Sequence, residues 1–276
     1  MGAAVTDLPD RERWEATQRS LWGQRPQDWA MLAEPQNLWL MDAALDGAQV
    51  GRRTRLLDIG CGSGLALQRA AARGAHVSGI DISPSLLAVA HERVGEAALA
   101  EGGIDELPFA DQSFDAALAV NALQFAFDPV GALGELGRVL TPGARLAIAG
   151  FSAPERCEST ALHLVMEALT PAETHADHAP YALAAPGALE QALTDAGFTV
   201  ESDRELPGDW HYQSLDEALR GVLCSGGGTR AIRLAGEERV RTALTEGLER
   251  FAQDDGSYLM HNHFRLLVAV TNGGPR

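Results

Sequence analysis

The clearest chemical pattern in the chain is nine residues long: Leu56-Leu57-Asp58-Ile59-Gly60-Cys61-Gly62-Ser63-Gly64. The apolar run reads as a buried strand, and glycines at every second position after it let backbone approach a ligand with no Cβ in the way. A dinucleotide fingerprint, G-x-G-x-x-G, needs its third glycine at residue 65, and that residue is Leu65. Asp58, just before the loop, would also repel a pyrophosphate. A ligand with a positive end meets no such penalty. A second acid, Asp81, closes the next apolar run, "HVSGIDI".

Other chemistries are narrowed by composition. All 22 basic residues are arginine, which removes Schiff bases, lysine-anchored pyridoxal phosphate, a lysine general base and the P-loop lysine. The three cysteines, Cys61, Cys157 and Cys224, are odd in number and widely spaced, neither a disulfide framework nor a zinc pattern, which fits a reducing cytoplasm. Histidines supply the remaining pool. "HNH" puts His261 and His263 on one face of an extended segment, and "HADH" puts His175 and His178 on one face of a helix. Neither has a cysteine or carboxylate partner in a recognised pattern, so no metal is expected. His163, His211, His261 and Tyr258 are the candidates for a base or polar catalyst, and Tyr181, Tyr212 and Trp210 could line a pocket.

The elements that position these residues follow from periodicity. "RLLDIG" reads as a strand and "GLALQRAAARG" as a helix stopped by Gly74. "HVSGIDI" is a strand, and "SPSLLAVAHERV" a helix with Ser83 as N-cap and Pro84 at its first position. Leu99 to Gly103 is a short strand, "FDAALAV" a strand, "PVGALGELGRVL" a helix and "ARLAIAGF" a strand entered through the turn residues "TPG". This βαβα alternation predicts a parallel, doubly wound sheet with ligands at its carboxyl edge. "PGALEQALTDAGFTVESDREL" adds a helix and a strand, and "HFRLLVAV" a last strand. Residues 206 to 262 read as irregular and helical, with "SGGG" at 225 to 228 as a flexible break.

Before the first strand, residues 11 to 46 are helical, broken by Pro26 and Pro35, and hold Trp14, Trp22, Trp29 and Trp39. These either glue a helical layer to the core or wall a ligand pocket. The expected organisation is 1–50 as an N-terminal lid segment, 51–151 as the core, 152–185 as a lid insertion, 186–205 as a core helix and strand, 206–262 as a second lid insertion, and 263–276 as the last strand and tail.

With these motifs in order, the chain resembles the class I S-adenosylmethionine-dependent methyltransferases, in the small-molecule branch that holds ubiquinone and menaquinone pathway enzymes. "LLDIGCGSG" resembles the family's first motif, "GIDIS" the end of its second strand, "ELPFADQSFDAALAVNALQF" its fourth-strand region and "RVLTPGARLAIAGF" its fifth. The resemblance implies a Rossmann-like seven-stranded sheet whose last strand is antiparallel, under a helical lid built from the N-terminal helices and the insertions. It implies S-adenosylmethionine as cofactor and S-adenosylhomocysteine as product. By this carry-over the cofactor meets Trp29, Asp58, Gly60, Cys61, Gly62 and Gly64. It also meets Asp81, Ile82, Gly103, Ile104, Asp105, Asn121, Ala122 and Leu123. Asp58 would orient the methionyl ammonium and Asp81 would accept from both ribose hydroxyls. One position departs: Gly103 stands where the family has an aspartate for the adenine amino group, with Asp105 two positions on. Gln124 stands near a frequent family histidine and cannot act as a base.

The leading expectation is methyl transfer to an O, N or C atom of a small molecule in specialised metabolism. Cyclisation or rearrangement on the same cofactor site, and ligand binding without turnover, are the alternatives. A net charge of −16 disfavours nucleic acid. The N-terminus is too polar for a signal peptide, and no apolar run approaches a membrane span. The protein is expected to be cytoplasmic, as a monomer or homodimer.

Overall fold

The computed structural model describes residues 11–171 and 187–272, so His175, His178 and Tyr181 lie outside the described residues. Seven strands form one sheet in the order β3-β2-β1-β4-β5-β7-β6. They are β1 (Arg55–Ile59), β2 (His76–Asp81), β3 (Ala98–Glu101), β4 (Phe114–Val120), β5 (Leu140–Phe151), β6 (Phe198–Tyr212) and β7 (Tyr258–Thr271). All neighbours pair in parallel except β7, which runs antiparallel to β5 and β6. Central strands buried on both faces need near-continuous apolar sequence. β1 and β4 supply it: Leu57 and Ala117 pack into one core, Leu56 and Ala116 into the other.

The helices are α1 (Arg11–Leu21), α2 (Pro26–Asp28), α3 (Leu38–Gly47), α4 (Leu65–Ala72), α5 (Pro84–Val94), α6 (Pro129–Val139), α7 (Thr160–Ala168), α8 (Ala188–Asp195), α9 (Leu215–Leu223), α10 (Gly226–Ala235) and α11 (Glu237–Leu248). Ser83 caps α5 by accepting from Leu86 N–H, with Pro84 at the first position. Asp128 and Pro129 repeat the arrangement on α6. The strand order reverses at the β1–β4 pair, so the crevice of the sheet opens beyond Ile59, Asp81 and Val120.

Four segments depart from the pattern read in the sequence. The winding is not broken at Pro35: α2 passes into a π turn at Trp29–Ala33, then a 3-10 turn at Glu34–Asn37, then α3. Pro35 enters at the start of the 3-10 turn, where its missing N–H costs nothing. "TPG" lies inside β5, whose register against β4 shifts between Phe114 and Ala116. Residues 206–212 and 258–262 are strand, completing a long β6–β7 hairpin. Their buried members Tyr212 and Met260 pack with Leu219, Leu223, Val240 and Leu244 of the helices beyond the sheet.

The "SGGG" stretch is not a flexible break. Ser225 caps α10 by accepting from Gly228 N–H, and all three glycines are buried in its first turn. A Cβ on Gly226 would lie 2.9 Å from the Trp22 ring, and one on Gly228 2.6 Å from the Leu223 carbonyl oxygen. Glycine is required here because α9, α10 and the N-terminal tryptophans meet backbone to ring. Gly228→Ala is expected to lower stability by about 2 kcal/mol, since backbone cannot retreat as a flexible side chain can. Urea denaturation would check it.

Candidate cofactor and acceptor site

The glycine loop is held from below by β2. Gly60 N–H and Cys61 N–H donate to the Ile80 carbonyl at 2.8 and 3.0 Å. Gly62 N–H donates to Asp81 Oδ2 and Ser83 N–H to Asp81 Oδ1, each at 2.8 Å. At Gly60, with φ +67°, a Cβ would fall 2.5 Å from Ala122 Cβ, so only glycine lets the loop pass this close to the residues after β4. Asp81 is buried, and that burial outweighs its two N–H donors, pushing its carboxyl up to about 6.

A cavity of about 730 Å³ opens above the loop. Trp29, Gly60, Gly62, Asp81, Ile82, Gly103, Ile104, Asp105, Asn121 and Ala122 all line it, with the residues after β4 at one end of the sheet edge and those after β3 at the other. Asp58, Cys61, Gly64 and Leu123 stand one layer behind. Cys61 packs on Leu67 and Leu87, and Leu123 is in the core. Asp58 is 3% exposed, and its carboxyl is pushed far above the usual range by burial, then by Glu34 and Asp81.

The N-terminal segment closes the cavity through Trp29 and, unforeseen in the sequence, through Glu34. The π turn brings Trp29 Nε1 and Glu34 Oε1 to 3.2 and 3.3 Å from where a Gly62 Cβ would be. Glu34, 3% exposed, accepts from Ser63 Oγ and Arg93 Nη1, both at 2.5 Å, and from Leu65 N–H at the start of α4. One buried carboxylate thus ties the N-terminal segment to the glycine loop and to α5. Trp14, Trp22 and Trp29 all wall the cavity, whereas Trp39 packs on Phe264. The spacing of Trp14, Gln18 and Trp22, four residues apart along α1 and the residue just after it, was the available signal.

A second cavity of about 710 Å³ adjoins the first and shares Trp22, Trp29, Asn121 and Phe125 with it. His163, Ser159 and Leu162 of the α7 region, Trp210 and Tyr212 of β6, and Phe151 of β5 complete much of its wall. No Asp, Glu, Lys or Arg lines it among the described residues. Burial drives the His163 imidazole down to about 4, so it is neutral at physiological pH. His163 also meets the Phe151 ring edge-on at 5.9 Å. Asn121 lies at φ +51°, an uncommon conformation for a side-chain-bearing residue, and its Oδ1 is buried without a hydrogen-bond partner.

The other sequence candidates are elsewhere. His261 sits on the outer face of β7 beside Asp209 at 2.9 Å, mostly exposed. Asp209 holds its imidazole pKa above the ordinary value. His211 is exposed at the edge of β6, its backbone paired with the Gln36 side chain. Tyr258 packs against the outer helix cluster. None of the three lines either cavity.

The first cavity fits S-adenosylmethionine on three observations. The loop is a cradle that a Cβ would fill. Three carboxyls, Asp58, Glu34 and Asp81, gather there; together with burial, Glu34 and Asp81 hold the pKa of Asp58 up and Glu34 that of Asp81, a clash that a cationic ligand relieves. Trp29 Nε1 is a buried donor with no partner, available to a ligand acceptor. A fold and site of this kind suit a nucleoside cofactor with a cationic end.

Comparison with known proteins agrees. Residues 57–148 match the family described as a methyltransferase domain. Over 106 residues the chain is 42% identical to a demethylmenaquinone methyltransferase of Tropheryma whipplei (strain Twist), covering 37% of this chain and 43% of that protein. The chain therefore spans less than half the length of that relative. A solved Bacillus halodurans C-125 protein, described as a candidate methyltransferase, superposes with TM-score 0.58 at 18% identity, covering 84% of this chain and 98% of its own. The (4+2)-cyclase SpnF superposes with TM-score 0.56 at 20% identity, covering 99% of each chain. At such identities the likeness is one of fold. Residues 57–148 thus match a methyltransferase domain, and the whole described fold is one shared with these solved structures. Among the described residues, no helix is long and apolar enough to cross a membrane.

Proposed function

We propose that this protein transfers the methyl group of S-adenosylmethionine, held in the first cavity, to an uncharged small molecule held in the second. The observation that carries this reading is the shared wall. Two cavities of ligand size meet at Asn121, and the outer one is lined by aromatic and neutral residues alone. An acceptor bearing carboxylate, phosphate or ammonium would have to shed its water there with no counter-charge. A largely aromatic or polycyclic acceptor, as in specialised metabolism, fits.

The bound cofactor supplies a sulfonium-activated methyl group. The chain supplies alignment and a dry wall, which account for most of what such a displacement needs. Asn121 Oδ1 accepts a hydrogen bond from the acceptor's O–H or N–H and holds that atom toward the first cavity. His163, neutral at physiological pH, is too weak a base to strip an alcohol beforehand, but on the wall of the same cavity it takes the far more acidic proton that the acceptor atom releases as it is methylated. The cofactor's cationic end favours the ionised form of Asp58, which burial otherwise opposes, and Trp29 Nε1 donates to its carboxylate.

With trideuteromethyl cofactor and a panel of neutral phenols and polycyclic alcohols, the product is expected to gain one deuterated methyl group by mass spectrometry. Asn121→Ala should lower kcat/KM about 10-fold to 100-fold, the worth of one buried, well-aimed hydrogen bond, with little change in cofactor affinity. A product of unchanged mass would instead establish the cyclisation reading, and cofactor binding without any product the non-catalytic one.

A further inference from the structure

The two ends of the first cavity are chemically unlike. Its Trp29–Asn121 end opens on the acceptor cavity, so the reacting end of the cofactor belongs there. Asp81 closes β2, which lies between β1 and β3 in the sheet, so the ribose falls there. The base must therefore sit at the far end, bounded by Gly103, Ile104 and Asp105 on one side and Trp14 and Glu15 of α1 on the other.

An adenine amino group at that end needs an acceptor. Asp105 is engaged by the chain itself: Oδ1 accepts from Asp128 N–H at 2.6 Å and Oδ2 from Phe127 N–H at 3.2 Å. Glu15 is placed otherwise. A Cβ built on Gly103 would lie 2.6 Å from Glu15 Oε1 and 3.1 Å from its carboxyl carbon. The Glu15 carboxylate therefore occupies the space that a side chain at residue 103 would fill. Arg11 Nε donates to Oε1 at 2.9 Å and Arg11 Nη1 reaches Glu106 at 3.1 Å, so the carboxylate is steadied from its own helix. That engages one oxygen of Glu15, where Asp105 has both engaged, so Glu15 keeps the greater acceptor capacity.

We infer that Glu15, carried on the N-terminal helix, is the residue that accepts the 6-amino group of the cofactor's adenine, and that Gly103 is glycine to admit it. This rests on the first cavity being the cofactor site. The base is then read by α1 instead of the sheet edge, and base specificity and the seating of the N-terminal segment become one event.

The test compares S-adenosylhomocysteine with its 6-deamino purine analogue by calorimetry. Wild type is expected to prefer the adenine ligand by about 10-fold to 50-fold, the worth of one hydrogen bond to a charged acceptor. Glu15→Ala should abolish that preference by weakening the adenine ligand alone. The double variant Glu15→Ala with Gly103→Asp should recover part of it. Equal weakening of both ligands would assign Glu15 a packing role and overturn the inference, as would an unchanged preference. Should wild type bind neither ligand, the cofactor reading itself fails, an outcome separate from either of these.

Discussion

Asp81→Ala is expected to weaken S-adenosylhomocysteine binding by about 100-fold or more, the largest single effect on the cofactor. The carboxylate does two jobs at once. It accepts from Gly62 and Ser83 N–H, which fixes the glycine loop, and it faces the cavity where ribose hydroxyls would add charge-assisted bonds. Alanine removes the ligand contacts and leaves two backbone donors without their acceptor. The pH dependence is equally specific. Burial raises the Asp81 carboxyl from 3.8 to about 6, so the folded protein binds more protons than the unfolded chain between those values. Stability of the ligand-free protein therefore falls as pH rises through that window, by about 3 kcal/mol from this group. Binding runs the other way: hydroxyl donors favour the ionised form, so affinity is full above about pH 6 and drops about tenfold per unit below it. Calorimetry from pH 5 to pH 8 in two buffers of different ionisation enthalpy would show proton release on binding. Asp81→Ala should flatten the profile. A wild-type affinity that does not change across the range would separate Asp81 from the ligand.

How much of this was legible in the sequence depends on whether the cause of each feature is local. The strands β1, β2 and β4, with α5 following β2 and α6 following β4, declare themselves, because Ser83-Pro84 and Asp128-Pro129 cap their helices from adjacent residues and the apolar runs are buried on both faces. The outer half of the β6–β7 hairpin was read as irregular because its burial comes from distant helices: Tyr212 and Met260 are inside only because α9 and α11 cover them. "SGGG" misled for a related reason. Three glycines signal flexibility by themselves, and only the approach of Trp22 and Leu223 turns them into a packing requirement.

The site divides in the same way. The glycine loop and Asp81 are a contiguous motif and its neighbour, visible from spacing. Glu34 and Arg93 are 59 residues apart and share no pattern, and nothing in "RERWEATQ" marks Glu15 as facing Gly103. The histidines show the converse failure. Alternation put His261 and His263 on one face, and they do share it, but it is the outer face of β7; the inward residue is Asn262, whose Oδ1 accepts from Ser159 N–H at 3.0 Å.

Glu34→Ala is expected to be the most destabilising single change near the site, by about 3–4 kcal/mol. Arg93 keeps only 17% of its side chain exposed and Glu34 3%, so removing the acid leaves a largely buried guanidinium without its counter-charge. The same substitution deprives Ser63 Oγ of its acceptor and the start of α4 of a carboxylate at Leu65 N–H, where the helix dipole favours negative charge. Glu34→Gln should be milder, about 1–2 kcal/mol. Burial already raises the pKa of this acid despite Arg93 and Ser63, so the site disfavours the charge more than its partners favour it, and an uncharged isostere keeps the shape. Replacing both partners, Glu34→Met with Arg93→Met, should recover much of the alanine loss, because a buried pair exchanged for apolar volume is often neutral. Urea denaturation of the four proteins measures the series. The functional consequence is separable: Glu34 joins the N-terminal segment to the glycine loop. Every variant lacking it should therefore show a smaller rise in melting temperature with saturating S-adenosylhomocysteine than wild type, including the double variant whose stability is restored. Restored stability with an undiminished ligand response would reduce Glu34 to a fold-stabilising residue and detach it from the cofactor.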